Sequence, residues 1–406
     1  MSEAPSLHLP LTGFRVLAAE QYGASPYGTM FLAQLGAEVI KIEPPAKHGT
    51  GGGDTARAVG PHFLRPGESL YFQTFNLNKR SLTLDLRSKE GQEILHRLVG
   101  NADAVANNMR GDLPEKLGLT YQALKQFNPA VVCAHLSAYG RDNARAKWPG
   151  YDYLMQAEAG FMGLTGEPDS PPTRVGLSMV DFMTGTMMAV GLLAALVDAQ
   201  RSGKGRDVDV DLLNSALHQT SYPALWYLNE GDMTERTPRS AHPSVTPSQL
   251  FRSGDGWIFI MAQLPKFWNI LCDKIGHPEL AADPRFRTPA DRLQNRNQLT
   301  DILDAIFMEH PTQHWLDVLS GHMPVSAVNN LAGALDNPFI HETGMVQTTD
   351  HPDRKDMRVL ACPIRLDGQR VPTKAAPLLG ADTDAILHDI GYSEDDILRL
   401  KSEEVV

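Results

Sequence analysis

Residues 14–45 read "FRVLAAEQYGASPYGTMFLAQLGAEVIKIEPP", and this stretch decides the fold. Arg15 to Ala19 predict a buried strand, and Ser25-Pro26 predicts a helix start with serine as N-cap and proline at the first helical position. A glycine ends the helix, and Glu38 to Ile42 form the next strand. A strand, a helix and a strand in this order predict a βαβ unit with parallel strands.

The same order recurs further along the chain. A strand-like "SLTLDL" at 81–86 precedes a helix from Lys89, and "ADAVANN" at 102–108 and "AVVCAHLSAYG" at 130–140 follow as further strands. Strands that alternate with helices predict an α/β fold with a doubly wound parallel sheet. Ligands of such sheets bind beyond the carboxyl ends of the strands.

Composition and charge exclude several classes of protein. The chain has 406 residues, of which 42% are hydrophobic and 21% charged, as in globular proteins. A net charge of −11 disfavours nucleic acid and anionic membranes as partners. The three cysteines, Cys133, Cys272 and Cys362, are widely spaced, which predicts free core residues in a reducing compartment.

The sequence carries neither a signal-peptide pattern nor a long apolar run at its start. The longest clean apolar run, Met187 to Val197, is about half of the ~20 residues that a membrane span needs. We therefore expect a cytoplasmic protein with no membrane partner.

Three motifs resemble known sites without matching them. Gly23 to Gly28 resembles a phosphate-binding loop, but Thr29 stands where the lysine belongs, and the G-x-G-x-x-G pattern fails as well. The loop still directs backbone N–H groups at a helix start, which suits a phosphate or an oxyanion. Residues 176–180 lack the second glycine of a hydrolase nucleophile elbow. We find no metal-ligand pattern and expect no metal.

Two loops leave their role open. The glycine-rich loop 48–54 suits either a plain linker or close approach of the backbone to a ligand. Residues 76–87 carry Lys79, Arg80 and Arg87 around a strand end, which suits either phosphate binding or a solvated charged face.

Asp181 is the one ionisable residue between a glycine-spaced run and a long apolar helix at Phe182 to Arg201. The preceding residues, Val175 to Val180, suit a strand or a buried loop. An aspartate in this place is typical of an N-cap. The same N–H groups would also hold a carboxylate ionised and in place as a nucleophile.

The motifs of the chain, taken together, resemble those of the class III CoA-transferases, a family that includes formyl-CoA and carnitinyl-CoA transferases. The resemblance covers nearly the whole chain, in family order. It is carried by residues 16–45 and by "GGGDTARA", "FNLNKRSLTLDLRSKEG", "HLSAYG", "TGEPDSPPTRVGLSMVDFMTG", "PRFRTPADRLQNR" and "APLLGADTDAIL".

The resemblance implies that Asp181 is the nucleophile, passing through an aspartyl–acyl anhydride and an aspartyl–CoA thioester. It also implies that CoA or acyl-CoA binds as a substrate, beside a small carboxylic acid, with no tightly bound cofactor. The implied CoA-binding residues are Gly23, Ala24, Leu84, Asp85, Leu86, Arg87, Asn108, Met109, Arg110, Lys116, Ser137, Ala138, Tyr139 and Gly140.

The resemblance further implies a Rossmann-like large domain, a smaller α+β domain and an obligate homodimer of two interlocked rings. The expected boundaries are residues 1–215 for the first part of the large domain, 216–247 for a polar linker and 248–326 for the small domain. Residues 327–406 are expected to form a second linker and the part that completes the large domain.

Two alternatives stay open. The α-methylacyl-CoA racemases share the fold but use a histidine in a Gly-His-Asp motif, and here Gly150-Tyr151-Asp152 matches it. Because the pKa of tyrosine in solution is about 10, it is a poor acid–base group near neutrality, which favours transfer over racemisation. The other alternative is an acyl-CoA-binding protein in which Asp181 only caps a helix.

Overall fold

The computed structural model describes residues 7–47 and 51–406. The described chain divides into two compact units. The larger contains residues up to Ala159, Gly176–Thr220 and Pro338–Val406, and the smaller contains Gly160–Val175 and Ser221–Asn337.

A six-stranded sheet forms the centre of the larger unit. Its strands are β1 (Arg15–Ala19), β2 (Glu38–Glu43), β3 (Arg80–Thr83), β4 (Ala104–Asn107), β5 (Val132–Ser137) and β6 (Asp207–Asp211). They lie in the order β3-β2-β1-β4-β5-β6, and every neighbouring pair is parallel. This is the order of doubly wound nucleotide-binding sheets, which open a crevice where the order reverses, between β1 and β4. The α/β fold predicted from residues 14–45 is confirmed.

Helices cover both faces of this sheet and end in a C-terminal pair. The helices of the larger unit are Ala24–Gln34, Leu70–Asn76, Lys89–Val99, Leu113–Lys116, Tyr121–Leu124, Asp152–Glu158, Met179–Ser202, Leu212–Gln219, Pro338–Glu342, Thr383–Asp389 and Glu394–Ser402, with a 3₁₀ turn at Thr55–Ala58. Short antiparallel pairs join Phe63–Arg65 with Glu68–Ser69, Val346–His351 with Arg354–Leu360, and Arg365–Leu366 with Gln369–Arg370.

The first helix begins two residues earlier than the sequence predicts. Its N-cap is Gly23, and Ser25 lies in the first turn. The Ser25 hydroxyl donates to Oε2 of Glu20 at 2.5 Å and makes no cap hydrogen bond. The predicted N-cap is therefore wrong, because a buried carboxylate competes for the serine.

The long helix Met179–Ser202 also begins earlier than predicted. Ser178 occupies the N-cap position, so Asp181 is the third helical residue. The preceding residues 175–178 form a loop and no strand. By length and composition the helix would suit a membrane span, but it packs along β5, β6 and the helix Ala24–Gln34.

The C-terminal segment packs beside β3. The backbone N–H of Asp85 donates to the Val405 carbonyl at 2.8 Å, and that of Ser81 donates to Asp382 at 2.9 Å. The amphipathic pattern of Asp382–Gly391 predicts a helix, and the structure has one at Thr383–Asp389. The last helix, Glu394–Ser402, was not predicted, although its start carries a capping box.

The smaller unit is α+β. Its strands are Ser248–Ser253, Gly256–Met261 and Val325–Ala327, and its helices are Phe161–Leu164, Ser221–Glu230, Pro265–Lys274, Glu279–Ala282, Pro289–Gln294, Arg296–Phe307, Thr312–Leu319 and Leu331–Leu335, with a 3₁₀ turn at Pro238–Ser240. The pair Asp255-Gly256 predicts a hairpin turn at these two residues, but the hairpin turns one residue earlier, at 254–255. The helix Ser221–Glu230 lies where only a connector was expected.

All three cysteines are free and buried, as predicted.

Candidate active site

Two adjoining cavities open at the carboxyl edge of the sheet, where the strand order reverses. The first, of about 450 Å³, is called the Arg87 cavity and is lined by Ala19, Glu20, Gln21, Ile42, Glu43, Pro44, Pro45, Lys47, Gly53, Asp54, Leu84, Asp85, Leu86, Arg87, Asn108, Met109, Leu113 and Leu117. The second, of about 520 Å³, is called the Asp181 cavity and is lined by Gln21, Tyr22, Gly23, Ala24, Thr55, Asn108, Met109, Arg110, Leu113, Leu136, Ser137, Ala138, Trp148, Pro149, Gly150, Tyr151, Asp181 and Leu212. Residues from the ends of all six strands contribute to the two cavities.

Most site residues named from the sequence lie in these cavities. The Arg87 cavity holds Leu84, Asp85, Leu86 and Arg87; the Asp181 cavity holds Gly23, Ala24, Arg110, Ser137, Ala138 and Asp181; both share Asn108 and Met109. Three named residues, Lys116, Tyr139 and Gly140, line neither cavity. Lys116 is exposed and pairs with Asp112 at 2.6 Å, while the Tyr139 hydroxyl donates to Glu158 at 2.9 Å.

Only one of the three basic residues grouped around β3 faces a cavity. Lys79 is buried against Glu20, with Nζ 2.8 Å from Oε1. Arg80 pairs with Glu38 and Asp382. Arg87 therefore remains the candidate for a phosphate contact, and the phosphate interpretation of Lys79 and Arg80 is wrong, because both are committed to buried or half-buried ion pairs.

Two glycines bring the long helix against the first helix. A Cβ on Gly28 would lie 2.2 Å from the Gly185 carbonyl oxygen, and one on Gly185 would lie 2.1 Å from that of Ala24. No side chain fits at either position, so the two backbones touch. Asp181 lies one turn before this crossing and thus meets the start of the first helix. A Cβ on Gly23 would lie 3.0 Å from Oδ2 of Asp181.

The Asp181 carboxylate lies beside the N-termini of two helices without capping either. Its own backbone N–H donates to Oδ2 of Asp152 at 2.9 Å, and the N-cap Ser178 makes no side-chain cap bond. Burial, with a further contribution from the charge of Asp152, raises the pKa of Asp181 to about 7. Burial and the charge of Asp181 raise the pKa of Tyr71 to about 12, so this phenol stays protonated. Asp181 is therefore a carboxylate kept in a poorly solvated place.

A buried ion network holds the turn that follows β1. Nζ of Lys41 lies 2.9 Å from Oδ2 of Asp54, and both side chains are fully buried. Asp54 accepts the backbone N–H of Tyr22 at 3.0 Å, which fixes Tyr22 at a φ of 63°. A left-handed φ is costly for a tyrosine and persists only where its surroundings enforce it.

The network continues through Glu20. Lys41 donates to the Glu20 carbonyl at 2.9 Å, and Lys79 pairs with the Glu20 carboxylate. Burial lowers the pKa of Lys79 to about 8 against the attraction of Glu20. Burial acts to raise the pKa of Glu20, yet Lys79 and Lys41 hold it below its usual range. Lys79 and Glu20 are thus both charged at neutral pH, and their ion pair stabilises the turn that follows β1.

The sequence reasoning missed three residues that shape the site. Asp152 entered only as part of a motif comparison, and Asp54 and Lys41 were not singled out. Lys41 carried a usable signal, since a lysine inside a strand that is buried on both faces needs an acidic partner. Residues 48–50 of the glycine-rich loop lie outside the described residues; Gly53 and Asp54 at its end line the Arg87 cavity.

Comparisons with known proteins identify the family of this chain. Residues 11–383 match the model of CoA-transferase family III. The succinyl-CoA:glutarate CoA-transferase of Mus musculus is 33% identical over 98% of this chain and 90% of its own. The succinyl-CoA–D-citramalate CoA-transferase of Chloroflexus aurantiacus is 33% identical over 98% of both chains.

Among solved structures, a CaiB/BaiF family protein from Brucella suis superposes with a TM-score of 0.82 at 30% identity, over 95% of this chain and 100% of that one. The resemblance noted in the sequence is confirmed. With a family model, full-length relatives and a solved fold in agreement, the chain belongs to CoA-transferase family III and is an enzyme of that class.

Proposed function

We propose that the enzyme moves CoA from an acyl-CoA to a carboxylic acid through two covalent intermediates on Asp181. An Asp181 oxygen attacks the thioester carbonyl, which breaks the C–S bond, releases CoA thiolate and leaves an aspartyl–acyl anhydride. The thiolate attacks the aspartyl carbonyl, which releases the donor acid as a carboxylate and leaves an aspartyl–CoA thioester. The acceptor carboxylate then reverses the two steps, so that atoms and charge balance over the cycle.

One observation carries this proposal: the Asp181 carboxylate faces a cavity at the crevice of the sheet, beside Gly23, with its pKa raised to about 7. A poorly solvated carboxylate is a better nucleophile than a hydrated one. The start of the helix Ala24–Gln34 lies next to it, and the positive end of that helix dipole favours an oxyanion formed there.

The two cavities offer places for the remaining parts of CoA. Arg87 and Lys47 line the first cavity, and Arg110 lines the second. Lys47 and Arg110 also pair with Asp85 and Asp112, but both cations are partly exposed, so they are able to turn to a phosphate. We assign the phosphates to this charge and the adenine to the apolar walls around Leu84 and Met109. Lys116, Tyr139 and Gly140 would contribute only from beyond the cavity walls.

The acids that exchange CoA are small carboxylic acids in this proposal. Succinyl-CoA is the first donor to test, because the mouse and Chloroflexus relatives are named for it. Glutarate, citramalate and monocarboxylic acids of similar length form the acceptor panel, with the CoA products identified by mass spectrometry.

We expect the enzyme to carry CoA on Asp181 when it receives succinyl-CoA and no acceptor. Without an acceptor the cycle stops at the aspartyl–CoA thioester, which hydroxylamine converts to a hydroxamate. Peptide mass spectrometry then locates the modified residue. The Asp181→Ala variant serves as the negative control and should carry no adduct.

The matched positive control is Asp198→Asn, near the other end of the same helix, where an exposed aspartate pairs with Arg206. It should carry as much adduct as the wild type, because exposed pairs contribute little. CoA transfer that proceeds with no adduct, or with the adduct on another residue, would contradict the proposed mechanism.

We also propose that the enzyme is an obligate homodimer. The long helix exposes Met187, Val190 and Val197, with exposed fractions of 40%, 57% and 47%. These positions share one face of the helix, opposite the side that packs on the sheet. An apolar stripe of this kind is typical of a surface that another protein chain covers.

On dilution to nanomolar concentration, sedimentation velocity should show a dimer with no monomer boundary. Interlocked rings cannot separate without unfolding, so the sedimentation coefficient should not depend on concentration. A monomer that forms on dilution and regains activity on concentration would contradict the interlocked arrangement.

A further inference from the structure

We propose that Asp152 is a positioning residue for the Asp181 nucleophile: it anchors the start of the long helix and places a second negative charge beside the attacking carboxylate. This inference rests on the proposed role of Asp181. It assigns a purpose to a buried acid that the transfer chemistry itself does not use.

The first observation is the hydrogen bond between the two residues. The third backbone N–H of a helix has no partner inside the helix and is usually satisfied by the side chain of the N-cap. Here Ser178 makes no such bond, and Oδ2 of Asp152 accepts the Asp181 N–H at 2.9 Å. An acid from another helix, Asp152–Glu158, thus caps the long helix at the nucleophile itself.

The second observation is that Asp152 is itself fixed. It is 4% exposed, and its Oδ1 accepts the side-chain amide of Gln156 at 2.6 Å. The same amide nitrogen donates to the carbonyl of Leu177 at 3.0 Å, just before the long helix begins. Asp152 and Gln156 therefore hold the chain on both sides of the helix start, and Asp181 has little freedom to move.

The third observation is electrostatic. Burial is the main cause of the raised pKa of Asp181, and the charge of Asp152 adds to it. The other titratable groups near Asp181 are Tyr71 from the helix Leu70–Asn76, with Tyr153 and Asp54 beyond it, and Tyr22 and Arg110 from the turns after β1 and β4. Since Tyr71 stays protonated, Asp152 supplies the nearby negative charge that adds to the effect of burial on the pKa of Asp181.

The test separates charge from shape. Asp152→Asn keeps an acceptor for the Asp181 N–H but removes the charge, and Asp152→Glu keeps the charge. We measure the rate of adduct formation on Asp181 from succinyl-CoA between pH 5 and pH 9 by rapid quenching and mass spectrometry. The wild-type rate should rise with pH through about 7, because only the ionised carboxylate attacks.

The pH dependence of the adduct-formation rate has an acidic limb, where the rate rises with pH. In Asp152→Asn this limb should move to lower pH by about one unit, because removing a like charge favours ionisation of Asp181. The plateau rate should fall about two- to fivefold, because a less basic carboxylate is a weaker nucleophile. Asp152→Glu should keep the limb within a few tenths of a pH unit of wild type, and KM for succinyl-CoA should be unchanged in both variants.

Asp198→Asn is the control for loss of one acidic charge from the same long helix, about 25 Å from Asp181 along the helix axis. It should leave the limb where it is. A ¹³C titration of the Asp181 carboxyl group in the free enzyme gives a readout that does not depend on turnover. This titration should show the same downward movement in Asp152→Asn.

Each failure has its own signature. A wild type that turns over without CoA on Asp181 contradicts the proposed function. A wild type that carries the adduct, with limb and carboxyl titration unmoved in Asp152→Asn, overturns only the role of Asp152. Equal loss of stability in Asp152→Asn and Asp152→Glu, with no movement of the limb, would show a merely structural residue.

Discussion

Replacing Asp181 with asparagine should lower kcat by about four to six orders of magnitude, as expected for the loss of a covalent nucleophile. The amide has the same shape but cannot form the anhydride. KM for the acyl-CoA should change little, because the contacts proposed for CoA lie elsewhere in the two cavities. Steady-state kinetics over the acceptor panel would measure both constants.

The same variant should be more stable than the wild type above pH 7. In the unfolded chain the pKa of Asp181 returns to about 3.9, so between pH 4 and pH 7 the native state binds more protons than the unfolded state. Stability therefore falls as pH rises through this window, and it stays lowered above it. Asparagine avoids this loss, on the order of 2–4 kcal/mol at pH 8.

Urea unfolding at pH 4 and pH 8 would check the sign. The two proteins should be close in stability at pH 4 and should differ at pH 8. Slow deamidation could restore the aspartate, so Asp181→Ala is the companion variant for activity. Near wild-type turnover in both variants would contradict a covalent role for Asp181.

Replacing Gly185 with alanine should cause a large loss of stability in the larger unit. The new methyl group would lie 2.1 Å from the Ala24 carbonyl oxygen, which is backbone and cannot turn away. The two helices must move apart, and forced movement in a packed core costs about 3–5 kcal/mol. Since this crossing places Asp181 beside Gly23, kcat should fall even where the variant remains folded.

The control is Gly163→Ala, in the helix Phe161–Leu164, where a Cβ would meet no atom within 4 Å. This change should be neutral or slightly stabilising, because alanine has the higher helix propensity. The midpoint of urea unfolding and kcat should be measured for both glycine variants and for the wild type. A Gly185→Ala protein with a wild-type midpoint would show that the helices do not touch as described.

The sequence predicts those features of the fold and of the site that depend on residues within one short segment of the chain. The strand Arg15–Ala19 and the start of the helix at Lys89 agree with the sequence prediction, because apolar periodicity and flanking turn residues define both. The ordered motifs identified the family and with it Asp181. These signals all lie within short segments of the chain.

The wrong predictions concern residues whose partners lie outside the local motif, from five to 59 residues away. Ser25 and Asp181 both have the local signature of an N-cap, but Glu20 engages the first and Asp152, 29 residues away, caps the helix of the second. The same holds for Lys79, whose ion pair with Glu20 spans 59 residues. No local pattern encodes such partners.

The ion network beneath the turn after β1 constrains how this enzyme can diverge. The side chains of Glu20, Lys41, Asp54 and Lys79 are buried and neutralise one another, so replacing any one leaves a buried charge on its neighbour unpaired. Single substitutions at these four positions are therefore destabilising. Single substitutions in the exposed walls of the substrate cavities are tolerated, one residue at a time. We therefore expect related enzymes to change their carboxylic acid substrates during evolution while the buried ion network stays the same.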